Sequence, residues 1–470
     1  MGGEVERMSR VDTAWLRMDT EANLMMIVGV WIIRPGITLA ALRERVEARL
    51  LQYTRFRQKV MEDALGAQWV EDEAFDIEQH VRGEILLPLR GQSREAALQA
   101  RVGELAATPL DPRRPLWQFQ LVEDFEPGRS ALIARIHHCI ADGIALISVM
   151  LSITDGGKAP PRREQQPRDD QDWLGDALLR PLGDLGVKAV KLAGAGAARS
   201  LEAWAHPADG SLEMARLGYQ VISDIAALAL MPDDSPTRLK GKPGSEKRVA
   251  WGETLPLDAV KAVGKGLNAS INDVLLSCVA GAIGAYLADK GEDPAGKEIR
   301  VMVPVNLRPL DKAYQLGNRF GLVPLVLPIG IANPVERLYA VKSRMQELKG
   351  SFQPVLAFGL LSVAGLLIKP VQHAMLNIFA KKTTAVVTNV PGPAEALKFC
   401  GATVERVMFW VPQSGDVGMG VSILTYAVRV QFGLITDSQL CPDPQAIVER
   451  FAPEFNKLLL LALMLPWDEA

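Results

Sequence analysis

The stretch Ile136-His137-His138-Cys139-Ile140-Ala141-Asp142-Gly143 decides how this chain is read. The whole sequence holds five histidines (His80, His137, His138, His206 and His373), and two of them stand side by side here. Ahead of the pair, Ala131 to Ile136 is short and apolar, as a strand is; behind it, Ile144 to Met150 continues as a buried helix. The pair falls where a strand ends and a turn begins, a common place for a scaffold to present a reactive group. An imidazole with a pKa near ~6.5 accepts a proton at neutral pH, and as a general base it contributes ~10²–10⁴-fold in rate. Adjacent side chains on an extended segment point to opposite faces, so one histidine is expected to work and the other to pack or orient. Asp142 is expected to hold the loop or the imidazole, in a turn that Gly143 lets fold tightly. The residues alone leave two further readings open: a satisfied, buried histidine pair, and Cys139 as a nucleophile, although Cys139 points away from His138 on an extended chain. A metal site is disfavoured, because no third or fourth ligand stands at a metal-binding spacing.

At 470 residues, 48% apolar and 23% charged, the chain suits two globular domains. A formal net charge of −3 with no long basic run argues against nucleic-acid binding, which needs a positive face for phosphates. Cys139, Cys278, Cys400 and Cys441 are scattered, with no disulfide or metal framework, as in a reducing cytoplasm. Met1 to Arg7 lacks the order of a signal peptide. The most apolar run, Val355 to Ile368, is shorter than the ~20 residues a bilayer needs, and reads as a core helix or an interfacial segment. A cytoplasmic protein is expected, in peripheral contact with the inner membrane or lipid inclusions.

Strands are expected at Met25 to Ile33, Gln68 to Val70, Glu84 to Leu87, Trp117 to Val122, Arg248 to Trp251, Arg300 to Val305, Leu322 to Leu327, Thr384 to Thr388, Met419 to Leu424 and Val428 to Ile435. Helices are expected at Leu39 to Leu51, Arg94 to Leu105, Val274 to Leu287, Val335 to Leu348, Leu356 to Ala380 and Pro444 to Leu463. Ser270 and Asp273 form a capping-box-like start. Leu116 and Trp117 read as core anchors. The polar, Pro-rich run from Asp155 to Asp170 reads as a linker, followed by Ala/Leu/Gly-rich helical patterns. The expected class is α+β: a first lobe over 1–155, a linker and helical connector over 156–246, and a second lobe over 247–470, with the site between the lobes.

His137-His138-x-x-x-Asp142-Gly143 resembles the signature of acyltransferases with the chloramphenicol acetyltransferase-like fold. Other stretches select the bacterial wax ester synthase/diacylglycerol acyltransferase family: Asp12 to Leu16, Phe75 to Arg82, Pro115-Leu116-Trp117, Asn272-Asp273, Gly317 to Gly321, Asn389-Val-Pro-Gly-Pro393 and Phe432 to Asp437. They run in the family's order from one end of the chain to the other, with 155–245 matching least. One departure is Gln118, where the family commonly has Glu.

The resemblance implies two mixed sheets with flanking helices. It also implies transfer of a long acyl group from acyl-CoA, a substrate and not a cofactor, to a fatty alcohol or a diacylglycerol. His138 would be the general base of a direct transfer, His137 would support positioning, and Asp142 would hold the loop through an arginine that the sequence does not single out. Gly143, Asn272 and Asp273 would shape the substrate site, and a helix N-terminus facing it would favour a developing oxyanion. Arg308, Arg319, Lys381 and Lys382 are candidates for the CoA phosphates, and Val355 to Ile368 for lining an acyl tunnel. The alternatives are a donor carried on a protein and a non-catalytic lipid-binding protein.

Overall fold

The computed structural model describes residues 6–63, 66–157, 233–306, 316, 318, 320–349 and 381–465. Most of the expected connector, the Val355 to Ile368 stretch, Arg308 and Arg319 lie outside them.

In the first half the chain forms β1 (Glu6–Arg7), α1 (Arg10–Arg17), β2 (Met26–Arg34), α2 (Leu39–Arg49), β3 (Gln58–Asp63) and β4 (Gly66–Glu71). It continues with α3 (Ile77–His80), β5 (Val81–Gly83), α4 (Arg94–Ala106), β6 (Trp117–Glu126), β7 (Arg129–His137) and α5 (Gly143–Ser152). The second half opens with β8 (Lys247–Trp251), β9 (Leu255–Pro256), α6 (Leu257–Gly266), α7 (Ile271–Asp289), β10 (Ile299–Asn306), β11 (Phe320–Leu327) and α8 (Pro334–Lys349). It closes with β12 (Ala385–Pro391), β13 (Lys398–Phe399), β14 (Ala402–Trp410), β15 (Met419–Tyr426), β16 (Arg429–Asp437) and α9 (Pro444–Leu463).

Two large mixed sheets result. The first has the order β13-β14-β2-β7-β6-β5, antiparallel except for β5 with β6. The second has the order β11-β10-β12-β15-β16-β8, parallel only where β12 meets β10 and β15. β7 is central in the first sheet and buried over Ser130 to His137, which is why its sequence is an almost unbroken apolar run. In the second lobe α7 is apolar and long enough to cross a membrane, but 78% of its most apolar window is buried. It is the core helix of that lobe, packed in one cluster with Phe451, Phe455 and Leu458 of α9. Its first turn carries the expected capping box: Ser270 Oγ accepts from Asp273 N at 3.2 Å, and Asp273 Oδ2 accepts from Ser270 N at 2.8 Å.

Two expectations change. Glu84 to Leu87 is not a strand: the chain leaves the sheet after Gly83, and Ile85 and Leu87 are 82% and 80% exposed. Conversely, β14 has no expected counterpart, and it pairs with β2 along Thr403 to Trp410. A β-bulge between Val404 and Arg406 breaks the alternation that marks a strand. Through β14 the far half of the chain completes the sheet that carries the histidines. One apolar cluster accordingly holds Met26, Leu98 and Val102 together with Val249, Trp251, Met408 and Trp410.

The joint between the halves is tight at Gly103 of α4, where an added Cβ would stand 2.6 Å from the carbonyl oxygen of Lys247 in β8. Ala in place of Gly inside a helix ordinarily gains up to about 1 kcal/mol. Here overpacking against backbone costs about 1–3 kcal/mol instead. Gly103→Ala should therefore lower the urea midpoint; a stabilised variant would contradict this packing.

Candidate active site

The ladders of β7 run out at the histidines. His137 N donates to Leu116 O (2.9 Å) and His138 N to Met25 O (2.7 Å), so both backbones are pinned by neighbouring strands. Beyond them the chain turns through Cys139 to Ala141, and Asp142 caps α5, its Oδ1 accepting from Ala145 N at 2.9 Å. This bond ties Asp142 to the first turn of α5. Gly143 does not play the part expected of it: it has no left-handed φ, and an added Cβ would meet nothing within 4 Å among the described residues. What it leaves is open space beside the turn.

The two rings go to different neighbours. His137 Nε2 lies 3.3 Å from Asp19 Oδ2, and Cys139 N donates to its Nδ1 at 3.1 Å. Burial disfavours charge on this ring, whereas the Cys139 sulfur and Asp19 favour it, and the balance lies above the ordinary histidine value. The Cys139 amide nevertheless points at Nδ1, a bond that only an unprotonated nitrogen accepts. In this conformation the ring carries its proton on Nε2, facing Asp19. Beside it opens a cleft of about 230 Å³ lined by Leu16, Leu24, Met26, Leu110 and Leu116, among others. That is below the roughly 300–1,000 Å³ of ligand pockets, so this cleft alone is not the pocket of a long chain.

His138 is 3% exposed and stacks on Trp15 of α1, with ring centroids 4.2 Å apart and planes at 19°. Phe320 of β11 closes another side at 5.5 Å. Its Nδ1 is buried without a hydrogen-bond partner among the described residues. The His138 carbonyl accepts from Asn318 Nδ2 at 2.8 Å, and the same Nδ2 donates to Asp12 Oδ1 at 2.7 Å. Burial, and then any charge on His137, pushes the His138 imidazole down to about 3, against smaller upward pulls from its own carbonyl and Asn318. Burial likewise raises Asp12 above the usual carboxylate range.

Asn272, exposed at the start of α7, accepts from Asn389 Nδ2 at 2.8 Å, which ties the Asn272-Asp273 pair to the Asn389 to Pro393 stretch. Asp273 is buried in its capping box, with Oδ1 unpartnered among the described residues. No hydrogen bond or ring contact among the described residues joins either to the histidines. Trp117 is a core anchor: its indole donates to Phe56 O at 2.8 Å, and its ring stacks on His80. Gln118 accepts from the buried Arg135, a neutral partner where a glutamate would bring charge. Lys381 is exposed and Lys382 less so. No group of three or more His, Cys, Asp or Glu among the described residues is placed to hold a metal. Trp15, Asn318 and Phe320 carried no assigned role in the sequence; the only sign of them was that their segments matched the family.

The family model of the wax ester synthase/diacylglycerol acyltransferase catalytic domain matches residues 8–275, and that of the C-terminal domain matches 316–459. The chain belongs to this family and is an acyltransferase. A Mycobacterium tuberculosis chain named as a probable diacylglycerol O-acyltransferase is 27% identical over 454 residues, 93% of this chain and 92% of that one. An O-acyltransferase of Acinetobacter baylyi is 26% identical over 404 residues, 83% of each. Among solved structures, the wax ester synthase/diacylglycerol acyltransferase from Marinobacter aquaeolei superposes with a TM-score of 0.67 at 19% identity, covering 97% of this chain and 100% of that one. The first condensation domain of the CDA synthetase gives 0.58 at 14%, covering 99% and 97%. These likenesses establish the two-lobed, chloramphenicol acetyltransferase-like α+β fold.

The depressed value of His138 has a consequence for stability. Below about pH 6.5 the unfolded ring takes up a proton that the folded ring refuses until about pH 3, so stability present above pH 6.5 is lost as pH falls through that interval. His138→Gln should flatten the loss by up to about 1.4 kcal/mol per pH unit in urea unfolding between about pH 7 and pH 4. An unchanged slope would show that the ring titrates alike in both states.

Proposed function

We propose that this acyltransferase moves a long-chain acyl group from acyl-CoA to a fatty alcohol, giving a wax ester, or to a diacylglycerol, giving a triacylglycerol. The observation that carries the reading is the buried imidazole of His138, packed against Trp15 and Phe320 at the end of a pinned central strand. The alcohol O–H gives its proton to His138 as the oxygen attacks the thioester carbonyl carbon. The C–S bond then breaks, and the CoA thiolate leaves with that proton. His137 supports the position of its neighbour, and Asp142 fixes the turn by capping α5. The open space over Gly143 suits the approach of substrate. Asn272 and Asp273 shape the site from the second lobe. No cofactor takes part; CoA enters as the donor's carrier.

The relatives named as diacylglycerol O-acyltransferase and wax ester synthase support both classes of acceptor. Work at the edge of a lipid phase from the cytoplasmic side fits the exposed side chains of Ile85, Leu87 and Leu89 in one loop, and of Leu463 and Met464 at the end of α9, each more than half exposed.

The test is CoA release from palmitoyl-CoA with hexadecanol, dioleoylglycerol or a short alcohol, with products identified by mass spectrometry. His138→Ala should lose at least ~100-fold in kcat, the scale expected of a lost general base, while still folding and melting in one cooperative transition. Ester formation at the wild-type rate by the folded variant would remove His138 from the chemistry. Turnover with a carrier-protein-bound acyl donor but not with acyl-CoA would change the donor.

A further inference from the structure

A base that takes a proton in the transition state becomes an imidazolium, and a buried imidazolium needs something to stabilise it. In many hydrolases that is a carboxylate bonded to the ring. Among the described residues no carboxylate bonds or ion-pairs with the His138 ring. Asp12 faces it only through Asn318, which engages the His138 backbone; Asp19 serves His137; and Asp142 caps α5. His137, the adjacent titratable group on β7, opposes a positive charge on its neighbour only when it has itself taken up a second proton. Beyond the small pulls of its own carbonyl and Asn318, the nearest aromatic face among the described residues is that of Trp15, nearly parallel to the imidazole at 4.2 Å, with Phe320 farther off at 5.5 Å.

We infer that Trp15 is a positioning residue for His138, its indole face holding the ring and stabilising the imidazolium that forms as the acceptor alcohol is deprotonated. Among aromatic side chains an indole face is the best partner for a cation, and the effect is largest where water is excluded. Trp15 is 4% exposed, and its Nε1 makes no hydrogen bond to a described residue, so among the described residues the stack is a contact of ring faces. α1 is itself anchored: Ser9 caps it by accepting from Asp12 N at 3.0 Å, and Asp12 is bonded to Asn318. The helix that carries the indole is therefore held by a segment from the second half of the chain. Because the charge exists only in the transition state, losing the face should lower kcat and leave KM in place.

This inference rests on His138 being the general base, and the experiment separates the two. Trp15→Phe keeps an aromatic face and loses the N–H; Trp15→Leu loses both. With palmitoyl-CoA and hexadecanol, Trp15→Leu should lose about 10- to 30-fold in kcat with KM unchanged, and Trp15→Phe should stay within about threefold of wild type. The Leu deficit should also shrink with 2,2-difluorohexadecanol, a more acidic acceptor that asks less of the base, whereas a merely misplaced base would show the same deficit with both alcohols. Melting curves of both variants check that they fold. Equal losses in Phe and Leu, a loss confined to KM, a deficit indifferent to the alcohol, or a Leu variant as fast as wild type would each overturn the role of the indole face. If His138→Ala is inactive in the same assay, such a failure falls on Trp15 alone; if His138→Ala is active, the base itself is misassigned.

Discussion

One side-chain amide ties the site together. Asn318 Nδ2 donates both to Asp12 of α1 and to the carbonyl of His138, joining residues 306 and 180 positions away in sequence. The geometry around His138 thus depends on three segments meeting, and none of them forms it alone. β14 imposes the same dependence on a larger scale, since the sheet presenting the histidines is finished by a strand from the other half of the chain. Such pairings close long loops before any contact is gained, so the site assembles only with the whole fold.

That dependence suits the chemistry of a buried base. The backbone of His138 is held by Met25 O and by Asn318, its ring by Trp15 and Phe320, and little freedom is left to lose when substrate arrives. Exclusion of water keeps the ring neutral and able to accept a proton, and it makes the resulting cation costly. His137 meets its own constraint differently, with a carboxylate on one nitrogen and a backbone amide on the other. Adjacent in sequence, the two imidazoles occupy different electrostatic surroundings because an extended chain sends them to different neighbours.

Much of this was legible in the sequence, and the exceptions share a physical cause. β7 and α7 read correctly because burial on all sides leaves an apolar run. The Ser270 and Asp273 cap read correctly because capping is local. β14 did not, because a bulge disturbs its alternation and its partner β2 is remote in sequence. The His-His-x-x-x-Asp-Gly spacing announces a candidate site, since the proposed base and the cap of the following helix lie within a few residues. Trp15, Asn318 and Phe320 announce nothing by themselves; an indole, an amide and a phenyl ring acquire a role only when folding brings them to the same imidazole. Gly143 was misread at its backbone, which takes no left-handed φ.

Direct transfer from thioester to alcohol is the centre of the account, and initial rates with both substrates varied test it most directly. A base that never carries the acyl group requires both substrates bound together. Double-reciprocal plots of palmitoyl-CoA against hexadecanol, or against dioleoylglycerol if that is the acceptor turned over, should then intersect, and the intact protein mass should be unchanged after incubation with palmitoyl-CoA alone. Parallel lines, together with a protein heavier by one palmitoyl group, would contradict it.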